Sequence, residues 1–357
     1  MTNHTVKTII ICCPGNALTG GINSLHNLCK ALTENNYNAY MYYVNANETI
    51  LNDYQITSYQ VNRIHQINDS ADTLVVVPET MVPLVMQLQN AKKVVYWLGL
   101  NYFFKKPTWR FPFNLKLIRK LISCRSYDGY SSGYFETAKR RLNDFSKSHL
   151  NMWNGDIIHL SNSHFVANYC RKKGSPYTYV LHNPIRQEFY AHQPKFKNRE
   201  KIILFGPRTP KYIIRRMRKH LPEFSIIRVR KIPFEQVTEL MSKAVIFAEF
   251  GNYSGRDRMP REAAMLGCNI FMNTRGTAAF EEDYNIPREY TIPDSPGNIK
   301  HILQQLTNCA LNYQEHIVNF EEFRNQLREE KKNFTSNTKE IFNQIITDGY
   351  KDSDHTF

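Results

Sequence analysis

The sequence lacks any long hydrophobic run. Near its start, the apolar stretch from Ile9 to Pro14 has six residues, too few for the core of a signal peptide. No later window reaches the about 18 consecutive apolar residues that suggest a membrane-spanning helix. These absences predict a cytoplasmic protein with no membrane-spanning segment.

The sequence also lacks a cysteine framework. Its seven cysteines are odd in number and scattered, as expected for reduced thiols rather than for a set of disulfides. The adjacent pair Cys12 and Cys13 has no two-residue spacer of the kind found in metal-binding or redox knuckles. A structural zinc site is therefore not expected.

Two common nucleotide-binding signatures are absent after the first predicted strand. Residues 14–20 read PGNALTG, which is neither the dinucleotide-binding G-x-G-x-x-G nor a P-loop with Gly-Lys-Ser/Thr. This argues against a dehydrogenase and against an NTPase of the P-loop class.

What is present is enough for two folded domains. The chain has 357 residues, of which 42% are hydrophobic and 13% aromatic, and a length of this kind exceeds one ordinary compact core. Short apolar runs alternate with helical patterns, as in Lys7 to Cys13 followed by Ile22 to Leu32. Alternation of this kind predicts parallel, doubly wound sheets.

The predicted fold class is α/β, with two doubly wound parallel-sheet, Rossmann-like domains facing a cleft and with C-terminal helices. Residues 1–186 form the predicted N-terminal domain. The polar stretch 187–200 has no clean periodicity and is the predicted connector. Residues 201–345 form the predicted C-terminal domain with its terminal helices, and residues 346–357 a polar tail.

The net charge of +14 predicts an anionic partner. The excess is local, because residues 105–150 hold eleven Lys or Arg and three acids, with aromatic residues interleaved at the start. Residues 102–147 are therefore a candidate for contact with an anionic inner-membrane surface, which would make the protein peripheral there. The alternative is a core helix with a solvated basic face.

The most informative loop lies in the second half, where GNYSGRDRMPREAAMLGC spans Gly251 to Cys268. Its end, Pro260 to Gly267, matches a P-x-E-A-x-x-x-G pattern, and the sequence here resembles retaining GT-B glycosyltransferases of family 4 (glycosyl transferases group 1). The resemblance implies that residues 1–186 are the acceptor-side domain and residues 201–345 the donor-binding domain, and that Glu262 accepts hydrogen bonds from the donor ribose. Ser254 occupies the position where the family has a glutamate that binds the donor sugar. Asp257 is therefore the candidate replacement for that glutamate, and Glu249 is the weaker candidate.

The resemblance extends to two further loops. Gly206, Arg208 and Lys211 follow a predicted strand, and the two cations would neutralise the donor diphosphate, although they are three positions apart where five is more usual. Gly20 and Gly21 resemble the family's glycine turn, which brings backbone N–H groups toward phosphate. The alternatives are a solvated basic helix for the cations and close packing for the glycines.

The candidate site residues form two sets. Those with a predicted catalytic role are Glu262, Asp257, Arg208 and Lys211. The predicted donor-binding set is Gly206, Arg208, Lys211, Ser254, Gly255, Arg256, Asp257, Arg258 and Glu262, with Gly20 and Gly21 as the acceptor or phosphate loop.

The resemblance implies a metal-independent, retaining hexosyltransferase or related enzyme that uses a nucleotide-diphospho sugar as donor substrate and needs no cofactor. Its acceptor would be a saccharide or a lipid-linked saccharide, in the synthesis of a bacterial surface polysaccharide such as lipopolysaccharide, O-antigen or capsule. Two alternatives remain: a basic nucleic-acid-binding α/β protein, although nucleic acid is not the expected partner, and a catalytically silent saccharide-binding GT-B module.

Overall fold

The computed structural model describes residues 6–103 and 150–348, except positions 193 and 195. The predicted membrane-contacting segment, residues 102–147, lies outside the described residues from position 104 onward. Within the described ranges, no helix is both long and apolar enough to cross a membrane.

The first half of the chain builds a sheet of seven parallel strands in the order β3-β2-β1-β4-β5-β6-β7. The central strands are buried on both faces, which explains why they are apolar runs without alternation. The strands are β1 (Thr8–Pro14), β2 (Ala39–Val44), β3 (Arg63–Ile64), β4 (Thr73–Pro78), β5 (Lys92–Trp97), β6 (Ile157–Ser161) and β7 (Thr178–Val180).

Helices cover both faces of this sheet. Helix α1 follows β1 and packs its buried apolar residues against the sheet. The helices described in this part are α1 (Gly20–Glu34), α2 (Glu48–Leu51), α3 (Tyr54–Thr57), α4 (Val82–Val85), α5 (Leu100–Phe103), α6 (His164–Lys172) and α7 (Gln187–Ala191). A short 3₁₀ helix, Glu79–Met81, lies between β4 and α4.

The second half builds a smaller parallel sheet of four strands in the order β11-β10-β8-β9. Its strands are β8 (Ile202–Phe205), β9 (Ser225–Arg228), β10 (Ile246–Glu249) and β11 (Asn269–Met272). The helices are α8 (Lys211–His220), α9 (Phe234–Lys243), α10 (Arg258–Met265), α11 (Ile299–Leu311), α12 (Tyr313–Ile317) and α13 (Glu321–Asp348).

The predicted α/β class with two doubly wound parallel sheets is confirmed. Two local elements differ from the sequence-based expectation. A helical pattern from Pro83 to Asn90 predicts a helix, but α4 stops at Val85. Within the predicted connector, α7 forms and buries Phe189 in the core of the second sheet, so this stretch is partly structured.

The long helix α13 joins the two halves. Its first turns pack on the second core through Phe323 and Leu327, whereas Phe334, Phe342 and Ile345 pack into the core of the first sheet, beside α1. The sequence-based division places residues up to 345 in the second domain, and the structure packs the end of that range on the first sheet. Apolar residues continue along the helix, so either sheet can bury them.

Candidate active site in the interdomain cleft

A cleft of about 1170 Å³ lies between the two sheets. It is lined from the first sheet by Gly20, Gly21 and Glu79, and from the second by Arg208 and Asp257, among others. Ligands of open parallel sheets bind at the carboxyl ends of the strands, where the strand order reverses. In the first sheet that point lies between β1 and β4, and in the second between β8 and β10.

Helix α1 points its N-terminus into this cleft. Its first N–H groups have no acceptor within the helix, and the side chain of Thr19 caps none of them. Gly20 has no side chain, and Arg258 of the second domain fills the space: a Cβ at Gly20 would lie 2.8 Å from Nε of Arg258. The two domains therefore bring a helix N-terminus and a guanidinium together.

Arg258 is well placed to bind an anion. Its side chain is 28% exposed, and its Nη1 group, which is buried, forms no hydrogen bond with the described residues. Arg186 lines the same cleft, and burial and the charge of Arg258 lower the pKa of Arg186. A guanidinium group beside a helix N-terminus, with a second guanidinium lining the same cleft, makes a positive site of the kind that binds phosphate.

Glu262 lies directly beneath this positive site. It is 4% exposed, its Oε1 is 3.9 Å from Nε of Arg258, and that oxygen accepts no hydrogen bond from the described residues. Burial raises the pKa of Glu262, although Arg258 and Arg186 act to lower it. The carboxyl group is close to the cleft but not on its surface, so contact with a ligand requires Arg258 to shift.

Arg208 lies on the wall of the cleft between two carboxylates. Its Nε is 3.1 Å from Oε1 of Glu249, and its Nη2 is 2.5 Å from Oδ2 of Asp257. Glu249 is fully buried and also accepts the backbone N–H of Arg208, at 3.1 Å. Although burial would lower the pKa of Arg208, Asp257 and Glu249 raise it. Arg208 is therefore held as a cation in a fixed orientation.

The loop glycines explain how these groups approach one another. A Cβ at Gly206 would lie 2.4 Å from Cδ of Glu249, so only glycine leaves room for that carboxyl group. A Cβ at Gly255 would lie 2.2 Å from the carbonyl oxygen of Leu98 in the first domain. The neighbouring Ser254 accepts the N–H of Leu100 through its carbonyl oxygen, at 2.7 Å. Ser254 and Gly255 thus contact the other domain.

Arg256 and Lys211 have different surroundings from the other predicted donor-binding residues. Arg256 is buried and forms two hydrogen bonds of 2.6 Å with the carboxylate of Glu330 on α13. Lys211 is the exposed first residue of α8 and is not among the residues that line the cleft. Arg258, rather than Lys211, lies beside Gly20, and a phosphate role for Lys211 stays a prediction.

A polar cluster closes the base of the interface. Asp283 of the second half accepts the N–H groups at the start of α6, from His164 at 2.7 Å and Phe165 at 3.1 Å. His182 lies between Asp283 and Glu330, with nitrogen-to-oxygen distances of 3.3 and 3.6 Å. These contacts fix the first sheet against the second.

Sequence reasoning missed Glu79 and Arg186. Glu79 follows β4 directly and is buried in the cleft at the point where the strand order reverses. The rule that ligands bind at the carboxyl ends of strands could have found it, because the apolar run from Thr73 to Val77 predicts a strand just before Glu79. Arg186 lies in the loop after β7, and only the folded chain shows that it lines the cleft.

No group of three or more His, Cys, Asp or Glu side chains within the described ranges could hold a metal ion. The six cysteines of the described residues are free and buried. The predictions that no metal and no cofactor take part stay predictions.

The fold is similar to those of solved glycosyltransferases. Sucrose-phosphate synthase from Thermosynechococcus elongatus superposes with a TM-score of 0.58 at 11% identity, covering 96% of this chain and 100% of that one. HepE (Alr3699) from Anabaena, solved with UDP and glucose, has a TM-score of 0.53 at 12% identity, with coverage of 96% and 100%.

The glycotransferase of kitacinnamycin gives a TM-score of 0.51 at 10% identity, covering 94% of this chain and 98% of that chain. No protein-family model matches the sequence, and no curated protein matches it. At these identities the similarity shows the fold, which is GT-B.

Proposed function

We propose that this chain is a glycosyltransferase that moves a sugar from a nucleotide-diphospho sugar to a saccharide or lipid-linked acceptor. The observation that carries the proposal is the positive site made by the N-terminus of α1 at Gly20 and by Arg258, beside the buried Glu262. It lies in the cleft where a GT-B fold brings two sheet edges together, and its charge suits a diphosphate.

The donor diphosphate binds between Gly20 and Arg258, with Arg186 beside it. Stabilising the departing diphosphate is the main electrostatic task of the transfer, and preorganised cations and N–H groups perform it. Glu262 accepts hydrogen bonds from the ribose hydroxyl groups, since a carboxylate offers two acceptor oxygens. This contact forms once the bound diphosphate has moved Arg258 away from Glu262. Arg208, held by Glu249, completes the cationic wall.

Asp257 is the group that replaces the family's missing glutamate in this proposal. It lines the cleft, whereas Glu249 is fully buried and paired with Arg208. Glu249 therefore orients Arg208, and Asp257 has the access needed to accept hydrogen bonds from the sugar. Retention of the anomeric configuration and independence of a metal stay predictions from the resemblance.

The biological setting is a further part of the proposal. We place the transfer in the synthesis of a bacterial surface polysaccharide, on the cytoplasmic side of the cell membrane, with the basic segment 102–147 contacting anionic lipid. The support for this is the net charge of +14 and its concentration in that segment.

A catalytically silent saccharide-binding module is the second candidate. Ser254 stands where the family has a glutamate, and Arg208 is already neutralised by two carboxylates. Such a module would bind a sugar nucleotide or a saccharide without releasing a nucleoside diphosphate.

A thermal-shift screen with UDP, GDP, ADP, CDP and dTDP, followed by turnover of the matching sugar nucleotides, tests the proposed function. We expect one nucleoside diphosphate to raise the Tm and its sugar nucleotide to be turned over with release of that diphosphate. Stabilisation without turnover would favour the silent module. No stabilisation and no turnover would refute both.

A further inference from the structure

Glu79 is a buried carboxyl group at the reversal point of the first sheet. It follows β4, is 4% exposed and lines the cleft. Its Oε2 accepts the N–H of Leu98 at 2.9 Å. The side chain of Leu98 in turn lies against α1, because a Cβ at Gly21 would be 3.2 Å from Cδ1 of Leu98. Glu79 is therefore linked through Leu98 to the N-terminus of α1, where the diphosphate is proposed to bind.

Within the part of the chain that the structure describes, no positive charge compensates Glu79. No Lys, Arg or His of the described residues forms an ion pair with it, and the favourable contacts to its carboxyl group are backbone N–H groups. A buried carboxyl group without a cationic partner is costly to ionise, and such groups concentrate at functional sites. Two other buried acids of this chain are different, because Glu249 and Glu330 each pair with an arginine.

We infer that Glu79 is a catalytic residue that takes the proton from the acceptor hydroxyl group during transfer; this inference rests on the proposed function. The oxygen not held by Leu98 accepts the proton, while the acceptor oxygen forms a bond to the anomeric carbon. The bond between that carbon and the diphosphate oxygen breaks, and its electron pair leaves on the nucleoside diphosphate.

The pKa of Glu79 supports this role. Burial raises the pKa to about 7, which the N–H groups of Leu98 and Gly99 partly oppose. A general base works best when its pKa is close to the working pH. The titratable groups that face it are Tyr96 on β5 and Tyr102 on α5, and burial raises the pKa of both, so neither titrates in the same range.

A separate proton acceptor also bears on the product configuration. When the departing diphosphate itself takes the proton, acceptor and leaving group lie on the same face of the sugar, and configuration is retained. A carboxylate base is needed when they lie on opposite faces, and the product is then inverted. The resemblance predicts retention, whereas the Glu79 role predicts inversion, so the configuration of the product distinguishes the two.

A purely structural role is the competing explanation, because Glu79 also fixes the turn at Leu98 and Gly99, which contacts Gly255. Glu79→Gln separates the two. Glutamine has nearly the same size, and its side-chain carbonyl still accepts the N–H of Leu98, but it cannot take a proton. A structural role survives this change, and a general base does not.

The test measures release of nucleoside diphosphate from UDP-glucose, UDP-N-acetylglucosamine, GDP-mannose and ADP-glucose, with water as the acceptor, from pH 5.5 to 8.5. For the best donor we expect wild-type kcat/KM to rise with pH through about 7 and then level off. Glu79→Gln should lower kcat by about 100-fold or more and remove that rise. Binding of the nucleoside diphosphate should change by less than about twofold. Proton NMR of the sugar first released should show inversion.

Glu340→Gln, at an exposed position of α13 that does not line the cleft, is the control and should keep the wild-type profile. Near-wild-type turnover in Glu79→Gln, or the same rise of kcat/KM with pH in that variant, would overturn the inference while leaving the proposed function standing. Retention of configuration in the sugar released by the wild type would do the same. A wild-type protein that binds no nucleoside diphosphate and turns over no donor would overturn both.

Discussion

The guanidinium of Arg258 lies against Gly20, so that a Cβ at Gly20 would be 2.8 Å from Nε. The two residues are far apart in the sequence and belong to different domains. Their contact puts a positive charge at the N-terminus of a 15-residue helix, where N–H groups already favour an anion. The phosphate-binding proposal depends on this contact.

Gly20→Ala should weaken nucleoside-diphosphate binding. The new methyl group would displace Arg258 and narrow the approach to the N–H groups of α1. We expect Kd, measured by calorimetry, to rise by about tenfold or more, as for loss of one charge-assisted hydrogen bond. Gly297→Ala is the control, since a Cβ there has no neighbour within 4 Å. Equal affinities in the two variants would show that Gly20 has no such role.

Asp257→Asn should have opposite effects on binding and on turnover. Asp257 pairs with Arg208 in the free protein and would therefore compete with a bound diphosphate for it. The side chains of Asp257 and Arg208 are 35% and 37% exposed. A pair this exposed is worth about 1 kcal/mol, or about fivefold in Kd, so nucleoside-diphosphate affinity should rise. Turnover of the sugar nucleotide should fall, because a carboxylate contact to the sugar is lost. Unchanged turnover would refute the sugar-contacting role.

Glu330→Gln should lower the thermal stability in a pH-dependent way. Burial would raise the pKa of Glu330, but Arg256 and His182 outweigh it and hold the pKa well below its usual range. A depressed pKa gives stability above the unfolded-state pKa of about 4.3, and that stability is lost as the pH falls further. Removing one partner of a buried pair costs about 3–5 kcal/mol.

The Tm difference between the wild type and Glu330→Gln should therefore be largest at neutral pH and should narrow below about pH 4. Glu329→Gln is the control on the same helix, since Glu329 is 60% exposed. A difference that stays constant with pH would mean that the ion pair with Arg256 is not its source. Differential scanning calorimetry at several pH values provides the measurement.

Glu79→Gln should stabilise the fold at high pH, opposite to Glu330→Gln. A carboxyl group whose folded pKa is raised to about 7 disfavours folding as the pH rises from the unfolded pKa through that value. Its removal should yield up to about 3 kcal/mol at pH 8 and little at pH 4. A Tm for Glu79→Gln below that of the wild type at pH 8 would show that the ionised group is well compensated.

Much of the fold could be predicted from the sequence because the strands are apolar runs and the helices are amphipathic. The apolar runs at Ile202–Phe205 and Asn269–Met272 predict strands, and the structure has strands with these limits. The path of α13 could not be predicted, because Phe334 and Phe342 are apolar positions that either sheet could bury. The packing of α13 against α1 is a tertiary contact, and hydrophobic periodicity along the sequence does not predict it.

The loops that form the candidate site could be predicted from the sequence, but the contacts between their side chains could not. The loops of Gly20, Arg208 and Asp257 all follow predicted strands, and parallel sheets bring such loops together. Sequence spacing gave no sign that Arg208 is held between Glu249 and Asp257, or that Arg258, rather than Lys211, contacts Gly20. These pairings depend on which residue of each loop turns inward.

Isothermal titration of the wild type and of Arg258→Ala with the nucleoside diphosphate that most raises the Tm tests the central claim most directly. The account predicts one binding site per chain and a Kd at least about tenfold higher in Arg258→Ala. Arg215→Ala, on the exposed face of α8, should match the wild type. Equal affinity in Arg258→Ala and Arg215→Ala would contradict the account.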